Sequence, residues 1–474
     1  MSEEIGHNCG LCVTHSLNDV YDFIKSLQHR GREATGIAAI GDRIDAIKWE
    51  GPVNKFDLVD LYKIFPSPHY HTYFGHVRYA TRGRKDRILE DAHPHVIGGE
   101  MEHRGNHIII RNCDVAGVHN GQVNDDYFKE IDINGLRTGC DTEALLYFYY
   151  QKGEYELMKK IPGAYTIAIA DRRRKDIIIL RDRTGIKPGA LGLKDGKHSV
   201  ASEDVAFSDN GGEIIEDLDP GYVYYLDSDG GYKKEKIAEA TVKPCFFEWN
   251  YIGRQDATLD GVSVRRLREL LGEIAAEEFH PDDIDYVTFL PRCPEVAARA
   301  YAKKTGLPFV YVFYKMRGER AFQGSTADDR AASIIENLHL RDEIDEIPIK
   351  EFLEGKTLLC MDDSMIRGNN SRRERYLLYE EAGVKKAYHF NYTPPIGRIG
   401  KDGKKRGCKY GVDMPPDDNF IARGRTNEQI SEIMKMPVRY LSLDGMLRAY
   451  KKLGIEENNL CTFCIGGPDP LKGL

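Results

Sequence analysis

Residues 357–371 read TLLCMDDSMIRGNNS, and this stretch decides the fold of the second half of the chain. It begins with a short apolar run, continues with two adjacent aspartates and ends in a polar loop with one glycine. An apolar run that is bounded abruptly by charge is typical of a buried β-strand, which we predict to end at Met361. The sequence SRRERYLLYEEAG that follows predicts a helix.

The carboxyl end of this strand is a predicted ligand site. In open α/β sheets, ligands bind just beyond the carboxyl ends of the strands. Asp362 and Asp363 therefore lie where a metal ion or a sugar hydroxyl would be held. The loop from Ser364 to Ser371 can direct backbone N–H groups and hydroxyls toward a phosphate. Taken alone, the Asp-Asp pair is explained equally well by a surface turn.

The whole string is more specific than the pair of acids. It resembles the ribose-phosphate signature of type I phosphoribosyltransferases, which bind phosphoribosyl pyrophosphate (PRPP) with Mg2+. The resemblance implies that Asp362 and Asp363 hold the magnesium ion. It implies that PRPP contacts these acids and the loop after them, namely Asp362, Asp363, Ser364, Arg367, Gly368, Asn369, Asn370 and Ser371. The two asparagines stand where that family usually has threonines.

The composition indicates a globular enzyme. The chain has 474 residues, which is enough for two or three domains with well-buried cores. The net charge of −8 excludes a broad basic face for nucleic acid. The amino-terminal MSEEIGHN lacks the apolar core of a signal peptide, and no apolar run approaches membrane-spanning length. We therefore expect a cytoplasmic protein that binds neither nucleic acid nor membrane.

The two halves of the chain have different predicted secondary-structure patterns. Residues 9–240 contain short β-like runs, with a predicted hairpin around ADRRRKD and predicted helices at LNDVYDFIKSLQHRG and after Asp141. From about residue 260 onward, helical patterns alternate with strands such as PFVYVF, which predicts βαβ units and a parallel sheet. The expected fold class is α+β followed by α/β.

Cys9 and a series of motifs after it point to a nucleophile. Cys9 alone would be a structural or incidental thiol. Six further segments follow in order: LQHRGREATGI (27–37), GHVRYATRG (75–83), VHNGQ (118–122), GCDTE (139–143), RDRTGIKP (181–188) and ASE (201–203). Together they resemble class II glutamine amidotransferase domains. The resemblance implies an N-terminal-nucleophile αββα sandwich over residues 9–240 and a propeptide, residues 1–8, cleaved before Cys9.

The chemistry of a mature amino-terminal cysteine fits this resemblance. A thiolate is a strong nucleophile, and a free α-amine with a pKa near 8 can act as a base at neutral pH. Cys9 would attack the carboxamide of glutamine and release ammonia. By the resemblance, Arg78 binds the α-carboxylate, Asp141 binds the α-ammonium, and the Asn120 side chain with the Gly121 N–H forms the oxyanion hole. Taken singly, these residues are also typical of a surface ion pair, a helix N-cap and a hairpin turn.

Four histidines raise the question of a metal site. His93 and His95 lie two residues apart, so their side chains share one face of a strand. His76 and His119 lie inside the amidotransferase motifs. We favour structural hydrogen-bonding roles for all four histidines over metal ligation.

Four of the ten cysteines form a second signal. CTFC at 461–464 is a C-x-x-C pair, and Cys245 and Cys408 lie in the same half of the chain. Four thiolates select zinc or an iron–sulfur cluster, and spacing alone does not choose between them. The segments CFFEWNYIGRQDA, CKYGVDMP and YLSLDGML resemble the iron–sulfur subgroup of the amidophosphoribosyltransferase family. That resemblance implies a 4Fe–4S cluster on Cys245, Cys408, Cys461 and Cys464.

The family resemblance implies one coupled reaction. Ammonia from glutamine would pass internally to a phosphoribosyltransferase domain, residues 241–474, and convert PRPP to phosphoribosylamine in the first committed step of purine synthesis. A loop around 315–324 would close over PRPP. A homo-oligomer with purine nucleotides as feedback ligands is also implied. Two alternatives stay open: a paralogue that aminates a different phosphorylated acceptor, and a non-catalytic sensor of PRPP or nucleotides.

Overall fold

The computed structural model describes residues 9–79, 87–128, 135–315 and 338–474. The predicted propeptide 1–8 and the greater part of the predicted PRPP-closing loop lie outside these residues. Among the described helices, none combines the length and apolar character that crossing a bilayer requires.

The first half is built on thirteen described strands, twelve of which form a continuous antiparallel path. The strands are β1 (Gly10–Thr14), β2 (Ala34–Gly41), β3 (Ile44–Glu50), β4 (Tyr70–Arg78), β5 (His95–Arg104), β6 (His107–Gln122), β7 (Ala164–Asp171), β8 (Ile177–Arg181), β9 (Ala190–Lys194), β10 (Lys197–Ala201), β11 (Glu213–Asp217), β12 (Tyr222–Leu226) and β13 (Tyr232–Lys236). Their order is β11-β9-β10-β1-β4-β2-β3-β6-β7-β8-β12-β13, with β5 paired to β6. The predicted hairpin around ADRRRKD is confirmed as β7–β8.

Helices cover the two outer faces of this path. They are α1 (Leu17–Ser26), α2 (Leu58–Ile64), α3 (Asp141–Lys160) and the short α4 (Val205–Ser208). The predicted helices at 17–27 and after Asp141 are confirmed as α1 and α3. Ser16 starts α1 because its side chain accepts a hydrogen bond from the backbone N–H of Asp19.

The layering follows from the alternation of side chains along each strand. In β2, Ala38 belongs to a central apolar cluster, whereas its neighbour Ile37 packs in a second cluster with α1 and α2. In β7, Ala168 belongs to the same central cluster, whereas Ile167 packs in a third cluster with α3. Because successive residues of a strand point to opposite faces, two sheets share the central cluster and a helical layer covers each outer face.

The second half contains a parallel sheet of four strands. Its strands are β16 (Tyr286–Phe289), β21 (Thr357–Asp362), β22 (Lys386–Asn391) and β23 (Val438–Tyr440), in that spatial order. Shorter strands are β14 (Thr258–Leu259), β15 (Val262–Ser263), β17 (Phe313–Lys315), β18 (Leu338–Leu340), β19 (Glu343–Ile344) and β20 (Ile347–Pro348). The helices are α5 (Val264–Glu278), α6 (Glu295–Thr305), α7 (Ile349–Leu353), α8 (Asn369–Tyr376), α9 (Asn427–Met434) and α10 (Leu443–Lys451).

Two details differ from the sequence prediction. Strand β21 ends at Asp362, one residue later than predicted, because Asp362 stays in parallel register with Asn391. The predicted strand PFVYVF forms only a bridge between Val287 and Phe309, after which β17 turns away to pair antiparallel with β18. The parallel βαβ arrangement itself is as predicted.

Candidate functional site

Cys9 lies immediately before β1 and is half-buried. Strand β1 pairs antiparallel with β4, and this register sets Gly10 opposite Val77, so that Cys9 comes beside Arg78. The Cys9 Sγ lies 3.7 Å from the carbonyl oxygen of Tyr79. Burial raises the pKa of the Cys9 thiol, and the backbone of Tyr79 and the positive charge of Arg78 oppose this rise. Positive charges of Arg78, Lys187 and Arg30 thus act on the thiol, but burial has the larger effect on its pKa.

Asn120 and Gly121 lie near the end of β6. The Asn120 side chain is fully buried, and neither atom of its amide has a hydrogen-bond partner among the described residues. A Cβ atom at Gly121 would lie 1.8 Å from the carbonyl oxygen of Ala164, so only glycine fits there. A buried amide with no partner is costly unless a ligand satisfies it. The pair therefore has the properties of an oxyanion hole.

Buried histidines join the end of β4 to the end of β6. The His76 Nε2 lies 3.0 Å from the carbonyl oxygen of His119, which precedes Asn120. His119 Nδ1 and His93 Nε2 each lie 2.9 Å from the Thr142 hydroxyl. Burial lowers the pKa of His76 to about 3, so this imidazole is neutral. Ligand atoms of His93, His95 and Cys140 also lie within 4.8 Å of one another, an arrangement that could hold a metal ion, so the structural role of the histidines stays a prediction.

Arg78 and Asp141 flank the same region. Arg78 is 3% exposed, and its guanidinium donates to the carbonyl oxygen of Ile88 at 3.2 Å. Asp141 is the first residue of α3, and its Oδ2 accepts a hydrogen bond of 2.7 Å from the backbone N–H of Val123. Val123 follows Gly121 by two residues. A hydrogen bond therefore links the segment just after the predicted oxyanion hole to Asp141, the residue predicted to bind the α-ammonium of glutamine.

Sequence reasoning missed a buried network of charges between the two halves of the chain. The Arg30 guanidinium pairs with Glu203 and lies 2.9 Å from the Glu248 Oε2. Lys187 Nζ lies 3.5 Å from the other carboxylate oxygen of Glu248. All four side chains are buried. Each residue lies in a motif quoted above, but no sequence pattern indicates that they pair.

The two aspartates predicted to hold a metal lie together at the carboxyl end of β21. Asp362 and Asp363 are both 7% exposed. The Asp363 N–H donates to Asp362 Oδ1 at 2.8 Å, and the Ser364 hydroxyl donates to Asp363 Oδ2 at 2.7 Å. Burial, followed by the charge of Asp363, raises the pKa of Asp362 well above its usual range, and burial raises that of Asp363 to about 6. A cation between them would relieve this cost.

The loop after these acids turns into α8 at Gly368, whose φ of +81° places it in the left-handed region. Ser371 is buried, and its Oγ lies 3.5 Å from His389 Nε2. Asn369 Oδ1 accepts a hydrogen bond of 2.9 Å from the Arg372 guanidinium. Arg367 differs from the rest because it pairs with Asp418, with Nε 3.2 Å from Oδ1. The Arg367 guanidinium is therefore already paired with a protein carboxylate.

The structure brings the four predicted cluster cysteines together. All four line one small cavity, whose other walls are mainly apolar. Cys245 and Cys461 lie on adjacent backbone segments, because the Cys461 N–H donates to the Pro244 carbonyl oxygen at 2.8 Å. Cys464 is held by its carbonyl oxygen, which accepts from the Gly397 N–H at 2.8 Å. Burial raises the pKa of the Cys461 thiol to about 12.

Comparisons with known proteins agree with this architecture. A family model described as a glutamine amidotransferase domain matches residues 101–226. An amidophosphoribosyltransferase of Archaeoglobus fulgidus is 30% identical over 468 residues, which span 95% of this chain and 94% of the relative. The chain belongs to the amidophosphoribosyltransferase family. The Bacillus subtilis amidophosphoribosyltransferase is 29% identical and covers 95% of this chain and 90% of its own length.

Solved structures of amidophosphoribosyltransferases share the fold. The B. subtilis glutamine PRPP amidotransferase, complexed with ADP and GMP, superposes with a TM-score of 0.79 at 25% identity, covering 98% of this chain and 97% of its own. A structure described as the allosteric regulatory enzyme of purine biosynthesis superposes with a TM-score of 0.80 at 26% identity, covering 98% and 96%. The predicted fold class is confirmed, as is the predicted activity, the glutamine-dependent amination of PRPP in purine biosynthesis.

Proposed function

We propose that residues 9–240 form the glutaminase domain and that Cys9, freed by removal of residues 1–8, is its nucleophile. The Cys9 sulfur attacks the carboxamide carbon of glutamine, ammonia leaves, and water then releases glutamate from the thioester. Arg78 and Asp141 bind the α-carboxylate and the α-ammonium of glutamine, while Asn120 and Gly121 stabilise the oxyanion. The unpartnered, fully buried amide of Asn120 is the observation that carries this assignment.

The second domain, residues 241–474, is proposed to bind PRPP at the carboxyl end of β21. Asp362 and Asp363 are the residues that would hold Mg2+, and their adjacent, buried carboxylates fit a divalent cation. Such an ion would neutralise the charge that develops on pyrophosphate. The loop Ser364–Ser371 offers the N-terminus of α8 to the ribose phosphate. Ammonia then forms a bond to C1 of the ribose as the bond from C1 to pyrophosphate breaks.

We assign the cysteine cavity to a 4Fe–4S cluster. All four cysteines line one cavity, and four thiolates are a ligand set for a 4Fe–4S cluster or for zinc. The resemblance of the segments that carry these cysteines to the iron–sulfur subgroup supports the cluster. The apolar walls would shield its sulfurs from water.

The cluster assignment predicts the effect of Cys464→Ser. The variant should lose most of its iron and acid-labile sulfide, and its Tm should fall by several degrees because metal binding stabilises only the folded chain. Iron analysis and thermal unfolding of anaerobically purified protein would measure both. Cys293→Ser is the matched control, since Cys293 is half-buried in the same half but does not line the cavity. Stoichiometric zinc in the wild type, with iron absent, would contradict the assignment.

Further properties of the family are proposed for this chain. The relative complexed with ADP and GMP supports purine nucleotides as feedback ligands. We propose a homo-oligomer in the cytoplasm, with glutamine and PRPP as substrates.

One assay tests the proposed function. Pyrophosphate release from PRPP and Mg2+ should depend on glutamine or on ammonium, with one glutamate formed per pyrophosphate when glutamine is the donor. Anaerobically purified protein would be assayed with and without each substrate. Glutamine hydrolysis without pyrophosphate release would favour the alternative, a paralogue that aminates a different phosphorylated acceptor.

A further inference from the structure

The segment that carries Cys408 touches the predicted oxyanion hole directly. The Gly411 backbone N–H donates a hydrogen bond of 3.0 Å to the Gln122 Oε1, across 289 positions of sequence. A Cβ atom at Gly411 would lie 3.1 Å from both the carbonyl carbon and the carbonyl oxygen of Gly121. The backbones of Gly411 and Gly121 are therefore packed against each other. A side chain at Gly411 would therefore press on Gly121.

The residues just before Gly411 connect this contact to the cysteine cavity. The Tyr410 N–H donates to the Cys408 Sγ at 3.3 Å, and the Tyr410 ring lines the cavity that holds all four cysteines. The Tyr410 hydroxyl donates to Asp469 at 2.6 Å, which fixes the ring to the C-terminal tail. Only two residues separate a predicted cluster ligand, Cys408, from Gly411.

On the other side, the contact reaches the groups that bind glutamine. Gln122 stands between Gly121 and Val123, and the Val123 N–H is bonded to Asp141 at 2.7 Å. Gly411 thus contacts Gly121 and Gln122, Asp141 holds Val123, and β7 pairs with the strand up to Gln122. Oxyanion donors act only when they are fixed at the position where the charge develops. A loose segment would retain the donors and lose their alignment.

We infer that Gly411 and Gln122 are positioning residues for the glutaminase: the Cys408 segment braces the oxyanion hole, so that the order of the cysteine cavity is transmitted to glutamine hydrolysis. This inference rests on the proposed roles of Asn120 and Gly121. It gives the C-terminal tail a part in the reaction at Cys9. Damage at the cysteine cavity would therefore misalign the oxyanion hole and slow the release of ammonia from glutamine, the step that precedes the amination of PRPP.

Gly411→Ala and Gly403→Ala form a matched pair that tests the inference. Both glycines lie in the same C-terminal segment with positive φ, +93° and +74°, so alanine meets similar backbone strain at each. Only at Gly411 does the new Cβ meet other atoms, since nothing lies within 4 Å of a Cβ at Gly403. A difference between the two variants therefore reports the contacts of Gly411, which are with the Gly121 backbone and, at 3.2 Å, with the Lys187 side chain.

If the Cys408 segment positions the oxyanion hole, Gly411→Ala should affect glutamine hydrolysis selectively when it is compared with Gly403→Ala. We expect kcat for glutamine hydrolysis to fall about 10- to 100-fold with little change in KM, because an oxyanion contact forms only in the transition state. Ammonium-dependent pyrophosphate release, iron content and the rate at which iodoacetamide alkylates Cys9 should match the control. Hydrogen–deuterium exchange in peptides that cover 118–123 should be faster in Gly411→Ala.

A second pair keeps the test independent of glycine strain. Gln122→Ala removes the acceptor of the Gly411 N–H and should lower kcat similarly, whereas Gln122→Glu keeps an acceptor oxygen and should restore most of it. Equal kcat values and equal exchange in Gly411→Ala and Gly403→Ala would overturn the inference. Absence of glutamine hydrolysis in the wild type would instead overturn the proposed function, so the two failures are distinguishable.

Discussion

Replacing Cys9 with alanine should abolish glutamine-dependent synthesis of phosphoribosylamine and leave ammonium-dependent synthesis intact. The alanine side chain cannot form the glutamyl thioester, so the rate of glutamine hydrolysis should fall by about 10⁴-fold or more. The proposed PRPP site does not use the thiol, because the carboxylates assigned to it lie at the end of β21 in the separate parallel sheet. Glutamate formation and pyrophosphate release, assayed with each nitrogen donor, would measure the two half-reactions separately.

Cys113→Ala is the control for the loss of a thiol from the same half of the chain. Cys113 is buried in the central apolar cluster and contacts neither site, so both half-reactions should persist. A Cys9→Ala variant that still hydrolysed glutamine at the wild-type rate would place the nucleophile elsewhere. Loss of the ammonium-dependent activity as well would indicate that the variant is misfolded.

Replacing Asp362 with asparagine should lower PRPP-dependent pyrophosphate release and leave glutamine hydrolysis intact, which is the reverse of the effect expected for Cys9→Ala. The asparagine keeps the shape of the side chain and removes one of the two charges proposed to hold Mg2+, so we expect PRPP-dependent pyrophosphate release to fall about 10²- to 10³-fold. Because burial raises the pKa of Asp362, its ionised form is unfavourable in the folded protein without a cation. The change also removes the ion pair of Asp362 Oδ2 with His389 Nε2 at 3.7 Å, so the two effects oppose each other and the Tm of the metal-free variant should stay close to that of the wild type.

Measuring pyrophosphate release over a range of Mg2+ concentrations would separate weak metal binding from a general loss of activity. Asp444→Asn is the control, because the Asp444 side chain is 85% exposed in the same half of the chain. Basal hydrolysis of glutamine should persist in Asp362→Asn. Wild-type release at every Mg2+ concentration would refute the role of this carboxylate, and a clear drop in Tm would point to a structural role.

The sequence predicts local elements better than contacts between distant residues. The apolar run 357–361 identifies β21 because its burial is visible in the residues themselves, although pairing with Asn391 extends the strand to Asp362. PFVYVF has the same texture, yet most of it forms no strand in the sheet, since an apolar run does not specify its partner. The local sequence thus predicts that a segment is extended and buried, but it does not predict which strand that segment pairs with.

The same distinction applies to the candidate sites. Ordered motifs brought Cys9, Arg78, Asn120, Gly121 and Asp141 into one hypothesis. The structure places Cys9 and Arg78 at the paired ends of β1 and β4, Asn120 and Gly121 near the end of β6, and Asp141 at the start of α3. The pairing of Arg367 with Asp418 and the contact of Gly411 with Gln122 had no sequence signal. Both depend on how separate segments pack, which no spacing along the chain encodes.

The ion pairs of Glu248 bear on how such a protein can be recombined. Glu248 lies beyond the predicted boundary at residue 240, yet its carboxylate faces Arg30 and Lys187 of the first half. Grafting a second half with no acid at this position would leave Arg30 with one carboxylate fewer. Removing one partner of a buried ion pair typically costs about 3–5 kcal/mol. Exchanging the first half between relatives is therefore restricted. A chimera should form a stable interface only if its second half supplies an acid that can pair with Arg30 and Lys187.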